Sequence, residues 1–80
     1  QTRQAVANLF RALDEAGAGV KDVVKTTVYV AGESRADLVR AWDVVEAAFA
    51  PARPPSTLLG VSFLGYSGQL VEIEAIAVIG

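Results

Sequence analysis

The chain of 80 residues has 52% hydrophobic residues, 20% charged residues and a formal net charge of −2, and it contains neither Cys nor His. This composition excludes disulfides, imidazole-based catalytic triads and most zinc or transition-metal sites, and it supplies no positive field for binding nucleic acid. No apolar run approaches the roughly 20 residues that span a bilayer, so we expect a single domain over residues 1–80, located in the cytoplasm, without membrane contact.

The first predicted elements are a helix over residues 2–16 and a strand over residues 23–30. Apolar residues recur along the first segment at i, i+3, i+4 and i+7, which is typical of a helix with one buried face. Gly17 and Gly19 supply the backbone freedom that ends a helix, and a β-branched run follows. Strand alternation places Val24, Thr26, Val28 and Val30 on one face and Val23, Lys25, Thr27 and Tyr29 on the other.

A second helix, about four turns long, is predicted between Ser34 and Pro51. Ser34 and Asp37 have the spacing of a capping box, and proline offers no amide hydrogen with which a helix could continue. Trp42 follows the spacing of the apolar stripe on this helix. We therefore interpret it as a core residue in preference to a residue that lines a ligand cleft.

Two more strands are predicted over residues 57–64 and 69–79, antiparallel to each other and joined by a turn at residues 65–68. The order α-β-α-β-β predicts an α+β fold with both helices on one face of the sheet. Such a sheet leaves an open edge and an uncovered apolar face, a liability that proteins relieve by covering it. We therefore expect the chain to self-associate.

Three stretches together resemble the Rid (YjgF/YER057c/UK114) family. They are QTRQAVANLFRALDEAGAGVKDVVKTTVYV at residues 1–30, PARPPST at residues 51–57 and VEIEAIAV at residues 71–78. The resemblance implies a chorismate-mutase-like (ferredoxin-like) sheet, homotrimers with a small-molecule cleft at each subunit interface, and hydrolysis of reactive imines or enamines to carbonyl compounds and ammonia. Complete members also carry a β-hairpin before the first helix, and we expect this chain to lack that upstream hairpin.

The resemblance implies a catalytic role for Glu72, the first glutamate of the last strand. In active members of the family this glutamate positions or activates the attacking water. An iminium carbon is already electrophilic, so a carboxylate that orients water and accepts its proton suffices without a metal or cofactor. The alternative, from the residues alone, is that Glu72 and Glu74 are solvated residues of an amphipathic strand.

The resemblance implies that Ser56, Thr57 and Gly60 line the approach to the cleft. Arg53 is a further substrate-binding candidate if its side chain curls into the cleft, and the alternative is a solvated loop residue. The deaminase branch of the family has an arginine in an Arg-Ser/Thr-x-Val-x-Val pattern, and this arginine binds the substrate carboxylate through two hydrogen bonds. Ser56 occupies the arginine position here, and Arg53 lies three residues earlier, behind two prolines. We therefore expect a diverged member whose ligand is not the usual 2-imino acid.

Two other functions stay open on the sequence. A non-catalytic small-molecule binding or assembly module of the same fold would keep the cleft without turnover. The ribonuclease or translation-inhibitor activity attached to the family's name is disfavoured by the acidic composition and the absence of His. Lys25 and Tyr29 share a strand face and are candidates for an interface or a cleft, and the turn residues Tyr66 and Ser67 are candidates to overhang one.

Overall fold

The computed structural model describes residues 1–79 of the chain. It has a three-stranded sheet with two helices packed on one face, which confirms the predicted fold class and the α-β-α-β-β order. The helices are α1 (Thr2–Glu15) and α2 (Arg35–Phe49), a short 3₁₀ helix spans Val20–Asp22, and the strands are β1 (Val23–Val30), β2 (Ser56–Gly60) and β3 (Val71–Ala77).

Helix α1 ends at a glycine, as the sequence predicted. Gly17 has a φ of 81°, in the left-handed region that costs glycine no steric strain. The N–H of Ala18 donates to the carbonyl oxygen of Leu13 at 2.8 Å, and the N–H of Gly17 donates to that of Asp14 at 3.0 Å. This pair of hydrogen bonds is the Schellman motif, which satisfies carbonyls that the helix leaves free.

Helix α2 begins at a cap built on Asp37. Its Oδ2 accepts the backbone N–H groups of Glu33 at 2.9 Å and Ser34 at 3.3 Å. The Glu33 hydrogen bond is the main reason why the pKa of Asp37 is lowered, and the charge of Arg40 adds to it against the opposing effect of desolvation. A Cβ at Gly32 would lie 2.8 Å from the Asp37 Cβ, so this cap requires glycine there.

The sheet is mixed, and its topology differs from the prediction in one respect. The strand order is β2-β1-β3, with β1 parallel to β2 and antiparallel to β3. Parallel neighbours need a crossover connection, and α2 provides it. The last two strands do run in opposite directions, but β1 lies between them, so the predicted β2–β3 hairpin is wrong. Strand β2 also ends at Gly60, before the predicted boundary at residue 64.

A β-bulge near the start of β1 reverses the predicted side-chain alternation there. Val23 pairs with Ala77 and Lys25 with Ile76, so Val24 has no partner of its own on β3. An extra residue in one strand shifts every side chain on one side of it to the opposite face. Val23 is therefore buried and Val24 is exposed, so Val24 does not share a face with the three residues that were predicted beside it, which are all buried: Thr26, Val28 and Val30.

The core lies between the helices and the sheet. The rings of Phe10 and Phe49 meet edge to face, with centroids 5.2 Å apart. Trp42 packs against this core, which confirms its predicted structural role. Each fully buried valine or phenylalanine side chain contributes about 1.5–3 kcal/mol to stability. The buried core residues are Val6, Val23, Val28, Val30, Ala41, Val45 and Phe49.

Candidate active site

The sheet face opposite the helices is called the open face here. Because strand residues alternate between faces, the pairing register decides which side chains meet on it. One lateral row of the open face joins β2, β1 and β3 through Thr57, Thr27 and Glu74, and the next row joins Leu59, Tyr29 and Glu72. The open-face residues of the three strands are Lys25, Thr27, Tyr29, Thr57, Leu59, Glu72, Glu74 and Ile76.

Glu72 lies near the start of β3, directly opposite Tyr29 on β1. Its side chain is exposed in the single chain. The side-chain Nε2 of Gln69 lies 3.5 Å from the Glu72 Oε1, at the long end of the hydrogen-bonding range. The structure thus places this carboxylate on an accessible surface, next to a phenol and a carboxamide.

The Tyr29 hydroxyl donates a hydrogen bond of 2.5 Å to the Glu74 Oε1. This hydrogen bond is the main reason why the pKa of Tyr29 is raised above its ordinary value of 10.0, since ionisation of the phenol would destroy it. Desolvation raises the pKa further, and so do the negative charges of Glu74 and Glu72. Tyr29 is therefore a neutral hydrogen-bond donor at physiological pH, placed between two carboxylates.

A shallow cavity of about 180 Å³ lies on the open face. Most small-molecule sites enclose roughly 300–1,000 Å³, so this cavity is smaller than a typical ligand pocket. Glu72 is not among the residues that line this cavity. The lining residues are Lys25, Thr27, Glu74, Ala75 and Ile76.

A larger cleft of about 600 Å³ lies between the start of α1 and the start of α2, away from the open face. Its lining includes Arg3 and Arg40 as well as Glu33 and Asp37, and Arg40 forms an ion pair with Asp37. The two signs of charge are balanced along its walls. The cleft therefore offers no dominant charge that would select a ligand.

Residues 1–79 match the model of the protein family described as Endoribonuclease L-PSP. This match spans every residue that the structure describes. The chain belongs to this family, also known as the YjgF/YER057c/UK114 or Rid family.

Sequence relatives agree with this assignment. The chain is 36% identical over 77 residues to a RutC family protein of Pyrococcus abyssi, and the match covers 96% of this chain and 58% of that protein. A RutC family protein of Pyrococcus horikoshii is 36% identical over the same length and is covered to 59%. The chain thus spans about three-fifths of the length of these relatives.

Solved structures share the fold over nearly the whole chain. A YjgF/YER057c/UK114 family member from Mycobacterium tuberculosis superposes with a TM-score of 0.88 at 40% identity, covering 99% of this chain and 65% of that one. The Rid family protein YyfB from Yersinia pestis, a protein of unknown function, superposes with a TM-score of 0.89 at 38% identity, covering 99% and 60%.

The site residues inferred from the Rid pattern fall on both faces of the sheet. Ser56 lies on the helix-covered face, where its Oγ is 2.5 Å from the buried Thr26 Oγ1. Gly60 lies on the same face, since a Cβ built there would contact the side chain of Leu38 at 3.4 Å. Thr57 shares the open face with Glu72. The structure therefore separates Ser56 and Gly60 from Glu72 within one chain.

Arg53 lies behind the sheet, on the side of α2. It has a φ of 44° and lines a small cavity of about 40 Å³ with Trp42, Glu46 and Ser56. This cavity borders helix α2 and does not reach the open face. Within one chain, the Arg53 guanidinium and the Glu72 carboxylate therefore belong to different surfaces.

The sequence interpretation gave no role to Glu74 beyond solvation and left Tyr29 undecided. Their hydrogen bond follows from the pairing of β1 with β3, which puts Tyr29 opposite Glu72 and within reach of Glu74 two residues along. The alternation of both strands was a usable signal. The missing information was that β3 pairs with β1.

Among the described residues, no group of three or more His, Cys, Asp or Glu side chains is arranged to hold a metal ion. Over residues 1–79, neither helix has the length and apolar character needed to cross a membrane. The chemistry available on the open face is therefore that of carboxylates, hydroxyls and the amine of Lys25.

Proposed function

We propose that this Rid-family chain hydrolyses small reactive imines or enamines, with Glu72 as the group that orients and deprotonates the attacking water. The observation that carries the proposal is the position of Glu72 on the open face, opposite Tyr29 and beside the Tyr29–Glu74 hydrogen bond. The Tyr29 proton is given to Glu74, so the Glu72 carboxylate and the phenol oxygen are both acceptors and can hold the two protons of one water. The family is often linked to imine deamination, and this arrangement suits that chemistry.

The reaction requires only proton transfers around an electrophilic carbon. The substrate reacts as the iminium ion: the water oxygen attacks the C=N carbon while Glu72 accepts a water proton, the C=N π electrons move to nitrogen, and the product is a neutral carbinolamine. Glu72 then returns the proton to nitrogen, the C–N bond breaks with the electron pair leaving on ammonia, and the hydroxyl becomes a carbonyl after loss of its own proton. A positioned base contributes about 10²-fold to 10⁴-fold to such a step, and no metal or cofactor is needed.

The substrate range should differ from that of the deaminase branch. A 2-imino acid needs a cation for its carboxylate, and a bidentate arginine is the strong solution. Among residues 1–79, the arginines lie on the helices and in the connector after α2, whereas the open face carries Lys25, which lines the 180 Å³ cavity together with Glu74. We therefore propose imines without a carboxylate as the preferred substrates.

A second copy of the chain completes the pocket in this proposal. Leu59 and Ile76 are large apolar side chains exposed on the open face, at 43% and 57% of their surface. Covering them removes apolar surface from water, which is favourable, and it deepens the 180 Å³ cavity into a cleft. We propose the homotrimer that is typical of the family, located in the cytoplasm, with each cleft between subunits.

The rival function is a non-catalytic module that binds a small molecule or serves assembly. The shallow cavity of the single chain favours it, because Glu72 is not among the lining residues. An RNA-cleaving role, which the family description names, has less support. The chain has a net charge of −2 and no His to act as a general acid or base.

An ammonia-release assay tests the proposal. Imines of small ketones and 2-iminopropanoate are generated in situ, and the wild type is compared with Glu72→Gln and with Glu15→Gln, an exposed glutamate at the end of α1. We expect turnover of the ketone imines to fall about 10²-fold or more in Glu72→Gln and to be unchanged in Glu15→Gln.

Three results would contradict the proposal in whole or in part. Equal activity of Glu72→Gln and the wild type would remove Glu72 from the mechanism. Absence of turnover in both, together with ligand binding by the wild type, would favour the binding module. Efficient turnover of 2-iminopropanoate would keep the hydrolase but refute the proposed substrate range.

A further inference from the structure

The turn before β3 brings a carboxamide to Glu72. Gln69 closes this turn, since its N–H donates to the Tyr66 carbonyl oxygen at 3.0 Å. The Gln69 side chain folds back over the same turn, and its Oε1 accepts the Tyr66 N–H at 3.3 Å. Its Nε2 lies 3.5 Å from both the Val71 carbonyl oxygen and the Glu72 Oε1.

These contacts fix which end of the carboxamide faces Glu72. A carboxamide has one accepting end and one donating end, and its orientation follows from the groups around it. The Tyr66 N–H is a donor, so its partner in the carboxamide must be the oxygen of Gln69. The amino group is then left to face two acceptors, one of them the Glu72 carboxylate. Reversal of the carboxamide would place an oxygen against both acceptors and a donor against a donor.

Gln1 holds the backbone of this turn from the other side. Its side-chain Nε2 donates to the Gly68 carbonyl oxygen at 2.5 Å, and its Oε1 accepts the Leu70 N–H at 2.7 Å. The carboxamide thus pairs with residues 68 and 70 in the way that a neighbouring parallel strand would. The carbonyl oxygen of Leu70 in turn accepts the Ala31 N–H at 2.9 Å. The backbone on both sides of Gln69 is therefore fixed.

We propose that Gln69 is a positioning residue for Glu72, and that Gln1 clamps the turn that carries it. The Gln69 amino group points at the Glu72 carboxylate and restricts its rotation on the open face. This inference rests on the proposed function for its effect on turnover, but the contact between Gln69 and Glu72 is testable without turnover.

The first test is kinetic. Gln69→Leu removes the donor at nearly constant volume, and we expect kcat to fall roughly fivefold to tenfold with KM unchanged, since a hydrogen bond to a charged group is lost. Gln1→Ala should lower kcat less, about twofold to threefold, because it loosens the turn without removing the donor. Gln4→Leu, on the exposed surface of α1, is the matched control.

The second test uses the side-chain amide signals of Gln69 in ¹⁵N-labelled protein. We expect Glu72→Gln to move these signals away from their wild-type positions, with the Gln4 signals unaffected. Insensitivity of the Gln69 signals to Glu72→Gln would overturn the proposal, whatever the activity. Normal kcat in Gln69→Leu, in a protein that does turn over imines, would overturn it as well.

A third outcome separates this inference from the proposed function. If the wild type releases no ammonia but the Gln69 signals respond to Glu72→Gln, the hydrolase proposal fails and the positioning contact stands. Thermal unfolding of Gln69→Leu checks that the fold is intact. The Gln69 amide signals of Gln1→Ala report whether the Gln1 hydrogen bonds are needed to hold Gln69 in place.

Discussion

The two faces of one sheet have opposite characters in this molecule. On the helix-covered face, Val28 and its neighbours are sealed under α1 and α2, and even the polar Thr26 is 1% exposed and satisfied by Ser56. One residue further along β1, Thr27 lies on the open face in a row with Thr57 and Glu74. The same strands therefore provide a fold on one side and free functional groups on the other.

This difference indicates which positions of the chain tolerate substitution. A packed face fixes volume and polarity at each position, because interiors have the density of organic crystals. An open face constrains its residues only through strand propensity and through whatever covers it. Carboxylates, a phenol and exposed Leu59 and Ile76 coexist there without a folding penalty of the kind that the core would impose. The open face is thus the surface on which function is expected.

The largest expected effect comes from a core truncation with an exposed counterpart. Phe49 is 2% exposed and stacked edge to face on Phe10, whereas Phe63 is 87% exposed. Phe49→Ala should lower the free energy of unfolding by about 3–5 kcal/mol, enough to unfold much of so small a domain. Phe63→Ala should change it by less than about 0.5 kcal/mol in the isolated chain. Urea denaturation followed by circular dichroism measures both, and equal losses would refute the assigned packing.

A smaller effect is expected from a charge placed on the open face. Ile76→Asp should weaken self-association tenfold or more, about 1.4 kcal/mol, because it puts a third carboxylate among apolar contacts. Val39→Asp, at a comparably exposed site on α2, should leave association unchanged. Sedimentation velocity over a concentration series distinguishes the two. Unchanged assembly in Ile76→Asp would show that copies of the chain do not meet through the open face.

Much of the fold was predictable because it is set by neighbours in sequence. The bounds of β1, the end of α1 at Gly17 and the start of α2 at the Asp37 cap follow from local hydrogen bonding and periodicity. The pairing of β2 was not predictable in this way. A short turn suggested a β2–β3 hairpin, but the crossover through α2 places β2 alongside β1.

The candidate site was predictable only in part, for the same reason. The alternation of β3 placed Glu72 and Glu74 on one face, and the burial of Val71 between exposed neighbours agrees with it. The sequence did not show that Ser56 faces the helices, since the phase of β2 depends on its register with Thr26. The bulge at Val24 escaped prediction because nothing local marks it.

The smallest expected effect concerns Tyr29, whose raised pKa reports the electrostatics of the open face. Because the pKa is raised in the folded state, the stability that the protonated phenol contributes is fully present below the ordinary value of 10.0. It is lost as the pH rises through the raised pKa. Tyr66→Phe leaves Tyr29 as the one tyrosine of the chain, so a near-ultraviolet tyrosinate titration follows it alone.

In that background, Glu74→Ala should bring the pKa of Tyr29 most of the way back toward 10.0, since it removes the hydrogen bond, which is the first cause of the shift. Glu72→Gln should lower the pKa by less, because it removes only a neighbouring charge, which is the last cause. The order of the two shifts is the test. If Glu72→Gln moved the titration further than Glu74→Ala, the phenol would have to donate to Glu72, and the donor that Gln69 offers to that carboxylate would face a competitor.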